Sequence, residues 1–482
     1  MAAIMKVAVT AAVLALVPFQ DSAEKAVEKL IEFMDKGAFV EGRSLAVQIC
    51  QKFPKTPAYD TALPYTRDNA LLSIVPMDIT GPAKNRLDIV VMADGLEYEN
   101  RAQERWKKEV EQIFKGLFEC ETLKEYQKYF NTYRAHVASK AERLNKPDGP
   151  VLTFFKSRDD DGEILTDGFA ARDVAAYTGA KDRIALVQVR PAGLLHGISG
   201  HGVATFGSPR PGSKDVVHAF GHGLAGLADE SPSLHVYGGM EKKKKEQPPI
   251  PVACNVSDTR DALKIPWAHW LKAKENGEKR AQKVDIHEGA AFRAMKAWRP
   301  VDESLCVMND GMDFCPVCRE NVVLLIYSYV RPIDAALPCD KIITISGKES
   351  VDLWVRPMAP ATHRLTVGWI TEKAWPGDKG GIDAEGRPDE EGVLEKALRC
   401  QDGQPGWRKG EGPAWRIPKG DAADGVQQKG QDGIREVLTI NEARLGAGKW
   451  RITCVVADPT EWVLKDSQNL LVDWRTWIVE IK

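Results

Sequence analysis

Neither sign of charge dominates this sequence, in which 66 Lys and Arg face 68 Asp and Glu and leave a net charge of −2. That balance supplies no basic groove for nucleic acid and no polybasic face for an anionic membrane. Long apolar runs are missing as well: none reaches the roughly 18 residues of a bilayer-spanning helix, so no transmembrane segment is expected. Cysteine is sparse. Nine residues, at positions 50, 120, 254, 306, 315, 318, 339, 400 and 454, are too few for a disulfide-dense scaffold in a chain of 482. Their odd number leaves at least one free thiol or an intermolecular bridge.

What is present describes a globular chain, 43% hydrophobic and 28% charged, with length for two or three domains. The start is distinct. Lys6 precedes the apolar stretch Val7-Ala-Val-Thr-Ala-Ala-Val-Leu-Ala-Leu-Val17 and the polar Gln20-Asp-Ser-Ala23, the layout of a secretory signal peptide. Residues 1–23 are therefore read as a signal, and the protein as secreted, periplasmic or cell-surface, in a compartment that permits disulfides. Residues 24–85 read as a helical N-terminal segment, with Ala26, Leu30, Phe33 and Met34 at helical spacing, followed by a proline-rich linker.

From Leu87 the pattern alternates between strand and helix. Leu87 to Met92 is a continuous apolar run; Trp106, Val110, Ile113, Phe114 and Leu117 then recur at three and four residues; Tyr129 to Ala138 and Arg183 to Arg190 give two more strands. Strands interleaved with helices predict an α/β sandwich with a mixed sheet.

The chain is organised around Ser213-Lys-Asp-Val-Val-His-Ala-Phe-Gly-His-Gly-Leu-Ala-Gly-Leu-Ala-Asp-Glu230. On a helix, His218 and His222 are i and i+4 and share one face, the zinc-ligand spacing of H-E-x-x-H. Gly226 suits the left-handed residue that ends a helix, after which Asp229 can return towards the imidazoles. Two histidines and a carboxylate would hold one zinc and leave a coordination position open. The residue after the first histidine is Ala219, where that motif has the glutamate that takes a proton from the attacking water. A methyl group accepts no proton, and general acid-base help is worth roughly 10²–10⁴ in rate.

His218-Ala-Phe-Gly-His222 with Leu224-Ala-Gly-Leu-Ala-Asp-Glu230 resembles the H-E-F-G-H…F-A-G-L-A-D-E signature of the IgA-peptidase family of secreted zinc metallopeptidases. Leu87-Asp-Ile-Val-Val-Met-Ala-Asp-Gly95 resembles that family's opening strand, and Tyr126-Gln-Lys-Tyr-Phe-Asn-Thr-Tyr-Arg134 its second. Arg299-Pro, Cys306-Val-Met308 and Phe314-Cys-Pro-Val-Cys318 resemble its segment after the active site. The resemblance runs from about Arg86 to Asp334. It implies a metzincin-like catalytic domain over 86–335, a mixed sheet plus an active-site helix, with His218, His222 and Asp229 on zinc and Met308 in a methionine turn beneath the metal. It also implies a cleft for a peptide or protein ligand, bordered by Trp267-Ala-His-Trp270 and His287-Glu-Gly-Ala-Ala-Phe292.

Other residues carry weaker signals. Glu230 and Glu288 are carboxylates that could stand in for the missing base. Cys306, Cys315 and Cys318 crowd together as half of a structural zinc site or, the reading preferred here, as disulfide partners near the methionine turn. Arg158-Asp-Asp-Asp-Gly-Glu163 has enough oxygens for calcium but lacks EF-hand spacing, and reads as a solvated turn. His196 and His201 lie on a glycine-rich loop, and Glu241-Lys-Lys-Lys-Lys-Glu246 reads as an exposed loop.

After residue 335 the composition changes to short β-branched and aromatic runs, which predict an immunoglobulin-like β-sandwich over 336–482, interrupted by a mobile Gly-, Asp-, Lys- and Pro-rich insertion over 373–433. Three functions follow as expectations: a zinc-binding peptidase relative that has lost hydrolysis; an active zinc metalloendopeptidase with a non-standard base; and an extracellular binding module acting through the β-sandwich.

Overall fold

A computed structural model of the protein describes residues 22–142, 144–146, 149–160, 163–180, 182–189, 196–197, 202–207, 214–232, 249–302, 305–309, 311–374, 428–430 and 433–482. Nearly all of the expected signal, His201, the lysine run after Glu241, Asp161 and Gly162 of the acidic turn, Cys400 and most of the 373–433 insertion lie outside the described residues. The chain is a mixed α/β protein with several sheets. Among the described residues no helix is long and apolar enough to cross a membrane.

Three helices open it, Ala23–Asp35, Phe39–Lys52 and Pro57–Ala62. The first is capped by Ser22, whose hydroxyl accepts from the Lys25 amide. Ala26, Leu30 and Met34 pack on Leu45, Ile49 and Ala62 in a core of their own. The proline-rich stretch that follows is not wholly a linker. Ala70–Asp78 forms strand β1, the antiparallel edge of the central sheet. An edge position tolerates Pro76, which cannot donate to a ladder.

The central sheet runs β1, β3 (Phe130–Ala138), β2 (Leu87–Asp94), β4 (Arg183–Val189), β5 (Val203–Phe206). All neighbours beyond β1 are parallel. That explains the unbroken apolar run of β2, which is buried throughout because both faces are covered. Ile89 and Val91 join a core with Trp106, Val110, Ile113 and Leu117 of helix Asn100–Glu119. Val90 and Met92 face the opposite side, with Val174 and Ala175 of helix Gly168–Ala176. The alternation along one strand thus fills two cores.

The C-terminal region holds two four-stranded sheets. One orders Ile333–Leu337, Ser350–Pro357, Gly433–Asn441 and Gln428–Gly430; the other Ile342–Ile345, Val472–Ile481, Gly448–Ala457 and Thr366–Lys373. Leu353, Val355, Leu438 and Ile440 of the first share a buried cluster with Ile452, Cys454, Val456, Trp477 and Val479 of the second. Buried polar contacts tie this region to the rest. Arg86 bonds Asp334 at 2.6 Å, and Glu320 accepts the Leu464 and Lys465 amides at 2.7 and 3.0 Å. Asp458 accepts the hydroxyls of Tyr126 and Tyr327 at 3.0 and 2.6 Å.

Candidate metal centre

The helix that carries both histidines spans Asp215–Ala225. Asp215 in its first turn complements the helix dipole. Its inner face, Val216, Val217 and Phe220, is buried against the central sheet's core. Two of its glycines are needed for closeness. A Cβ on Gly223 would stand 2.8 Å from that of Ala204 on β5, and one on Gly221 2.7 Å from the Met308 sulfur. Met308 therefore lies directly against the helix at the level of the histidines. Gly226 stops the helix in the left-handed conformation, φ 58°. The Leu227 amide then turns back to the Gly221 carbonyl at 3.3 Å.

That turn brings Asp229 to the histidines. Its Oδ1 is 3.2 Å from His218 Nε2 and 3.6 Å from His222 Nε2, and the two Nε2 atoms are 2.9 Å apart. Each ring is held from behind: His218 Nδ1 donates to the Val307 carbonyl at 2.9 Å and His222 Nδ1 to that of Leu227 at 2.6 Å. Donation from Nδ1 leaves each Nε2 as a lone pair. Two lone pairs and a carboxylate then face one another across one small space, an arrangement that calls for a shared proton or a cation. These three residues fit a metal ion on that ground. Burial works against the charge on His222, but the Asp229 carboxylate prevails and raises its pKa. Burial likewise opposes the ionised Asp229, and the two imidazoles hold its carboxyl far below the usual range. Ala219 is 4% exposed, and its side chain carries no polar atom.

A second group lies one residue along the chain. Glu230, Cys306, Cys315 and Cys318 are all buried, and one ligand atom from each lies within 4.8 Å of the others. Cys318 Sγ is 3.0 Å and Cys315 Sγ 3.7 Å from Glu230 Oε1, and the Cys315 amide donates to Cys306 Sγ at 3.4 Å. These cysteines are free thiols, not joined in the disulfides favoured from sequence. Burial pushes the thiols of Cys306 and Cys318 and the Glu230 carboxyl well up. Burial acts the same way on Cys315, but hydrogen bonds from the other two cysteines bring it down to about 7.

The two sequence candidates for a replacement base lie in different surroundings. Glu230 is fully buried and turned into the cysteine group, where Asn255 Nδ2 also donates to its Oε1 at 3.1 Å. Glu288 is exposed on the hairpin His287–Ala290/Arg293–Arg299, with its Oε1 accepting the Lys296 amide at 3.0 Å. The tip of that hairpin does meet the site's backbone: Ala291 donates to the Asp229 carbonyl and Phe292 to that of Ser231, both at 2.9 Å. Trp267 and Trp270 are core residues, 0% and 1% exposed. The side chain of His196 and those of Asp159, Asp160 and Glu163 in the acidic turn lie outside the described residues.

Sequence reasoning missed Asn255, which clasps Ala228 by both backbone groups, at 2.9 and 2.8 Å, and so fixes the segment between the two groups. It lies in a loop without motif, and only its approach across the fold reveals it. No protein-family model matches the chain, and no curated protein matches it.

Proposed function

We propose that this protein is a secreted, zinc-binding relative of the IgA-peptidase-type metallopeptidases in which peptide hydrolysis has been lost. The observation that carries the proposal is the convergence of His218, His222 and Asp229 beside an alanine. Those three residues would hold the ion, which when bound supplies a Lewis acid able to polarise a carbonyl group. The chain contributes the rest. Val307 and Leu227 orient the imidazoles through their carbonyls, and Met308 and Gly221 set the floor of the site.

What the chain does not contribute is a proton acceptor at position 219, and Glu230, the carboxylate next to Asp229, is turned into the cysteine group instead. The cleft on this reading binds a peptide or protein segment without cutting it. The metzincin-like assignment of the sheet and helix, and the immunoglobulin-like assignment of the two C-terminal sheets, belong to the same proposal. They rest on the motif resemblance and are compatible with a mixed sheet followed by two four-stranded sheets.

The test is a quenched-peptide assay, with zinc analysis, on the wild type and Ala219→Glu. Wild type should bind zinc and show no turnover above a metal-free control, and the variant should gain measurable cleavage. Wild-type cleavage as fast as the variant's would overturn the lost-base reading. Absence of zinc that His218→Ala could remove would overturn the site itself.

A further inference from the structure

Glu230, Cys306, Cys315 and Cys318 form a second cluster that the peptidase-type site does not use. We propose that they bind a structural zinc ion, separate from the one between the histidines and independent of whether that one exists. Three sulfurs and one carboxylate oxygen make a complete tetrahedral donor set of the soft, closed kind that suits structural zinc. With zinc–sulfur bonds near 2.3 Å, tetrahedral geometry puts ligand atoms about 3.5–3.8 Å apart. The 3.7 Å from Cys315 Sγ to Glu230 Oε1 already has that value, and all four atoms fall within 4.8 Å of one another.

Three further features favour a cation over a thiol cluster. Glu230 Oε2 is buried with no hydrogen-bond partner, and an uncompensated buried carboxylate oxygen is costly unless something positive faces it. The Cys315 amide points at Cys306 Sγ, the kind of backbone N–H donation that stabilises a thiolate on a metal. A disulfide between any two of the cysteines would strand the third beside that same carboxylate. On binding, the protons of the three thiols and of the Glu230 carboxyl leave for solvent as three sulfur–zinc bonds and one oxygen–zinc bond form.

The position gives the ion a task. Cys306 begins the tight turn in which the Asn309 and Gly311 amides return to its carbonyl at 3.0 and 2.8 Å. Within that turn Val307 holds His218, and Met308 accepts the Glu230 amide at 2.8 Å. Cys315 and Cys318 open helix Pro316–Tyr329. Zinc here would pin the turn that orients His218 to the helix beneath it and to the segment carrying Asp229.

The experiment uses full-length protein purified without metal-affinity resin. Elemental analysis should find two zinc ions per chain in the wild type, one in His218→Ala/His222→Ala and one in Cys318→Ser. Should the cysteine variant fail to fold, cobalt(II)-loaded wild type keeps the test decisive. It should show intense near-ultraviolet thiolate-to-cobalt absorption, and the double histidine variant should retain it. Absence of that absorption, iron in place of zinc, or a disulfide among these cysteines in the folded protein would overturn the proposal. Failure of the histidine site alone reads differently: one zinc per chain, with the thiolate absorption intact.

Discussion

Asp229 and Glu230 are neighbours in the chain whose carboxylates serve two different clusters, Asp229 among the imidazoles and Glu230 among the cysteines. A two-residue segment thus links the two groups with no extra structure. Substitutions should therefore separate cleanly. Asp229→Asn should weaken zinc at the histidines by more than the roughly 10–100-fold that loss of an outer partner costs, and leave thiolate-bound metal unchanged. Glu230→Gln should do the reverse. Competition with a chromophoric chelator measures both, and equal losses at both sites in either variant would show that the clusters are one unit.

Asn255 supports both from outside. It satisfies the Ala228 N–H and carbonyl and donates to Glu230 Oε1. Asn255→Ala would leave buried backbone groups unpaired, at about 1–3 kcal/mol for each. A fall in denaturation midpoint is expected even in chelated protein. An unchanged midpoint there would mean that water replaces the amide and that the clasp has no structural weight.

Gly221 tests the packing of Met308 against the histidine helix without touching a candidate ligand. A methyl group there would stand 2.7 Å from the Met308 sulfur, closer than real side chains come, and a tight 3.0 Å from the Phe314 ring. Gly221→Ala improves helix propensity by about 1 kcal/mol, but overpacking costs typically 1–3 kcal/mol. The clash should win, since both neighbours are buried and have little room to shift. Thermal melting should show net destabilisation, relieved in Gly221→Ala/Met308→Ala. A stabilised single variant would place Met308 elsewhere.

Much of this was legible before any coordinates. The period change from Leu87 to Leu117, the histidine pair and the helix stop at Gly226 are local signals, each set by residues within a few turns of one another. The cysteine cluster was half visible. Cys306, Cys315 and Cys318 declare themselves by spacing, but their fourth partner is a glutamate from a different loop, and no spacing rule joins residues 230 and 306. The strand at Ala70–Asp78 hid for a related reason: its Pro76 and single apolar run look like linker until a parallel sheet offers it an edge. A cleft-bordering role for the stretches around Trp267 and Glu288 came only from resemblance; what the fold adds is that Trp267 is buried and that Glu288 is exposed on a hairpin.

His363 predicts how the C-terminal sheets stay attached. Its Nδ1 meets Glu125 Oε1 at 2.8 Å and its Nε2 meets Asp458 Oδ1 at 2.7 Å, so the ring is bracketed by a carboxylate from each side of the junction. Partial burial disfavours the charged ring, but the two carboxylates outweigh it and raise its pKa. A raised value in the folded state means that the protonated ring stabilises fully below the free imidazole's roughly 6.5, and that this contribution is lost as pH climbs through the folded pKa. His363→Gln keeps a donor of similar size but cannot titrate. The melting-temperature gap between wild type and this variant should be widest near pH ~6 and narrow steadily into the alkaline range. A gap that stays constant with pH would mean that the imidazole works as a neutral hydrogen-bonding spacer and that its charge has no part in holding the C-terminal sheets to the rest of the chain.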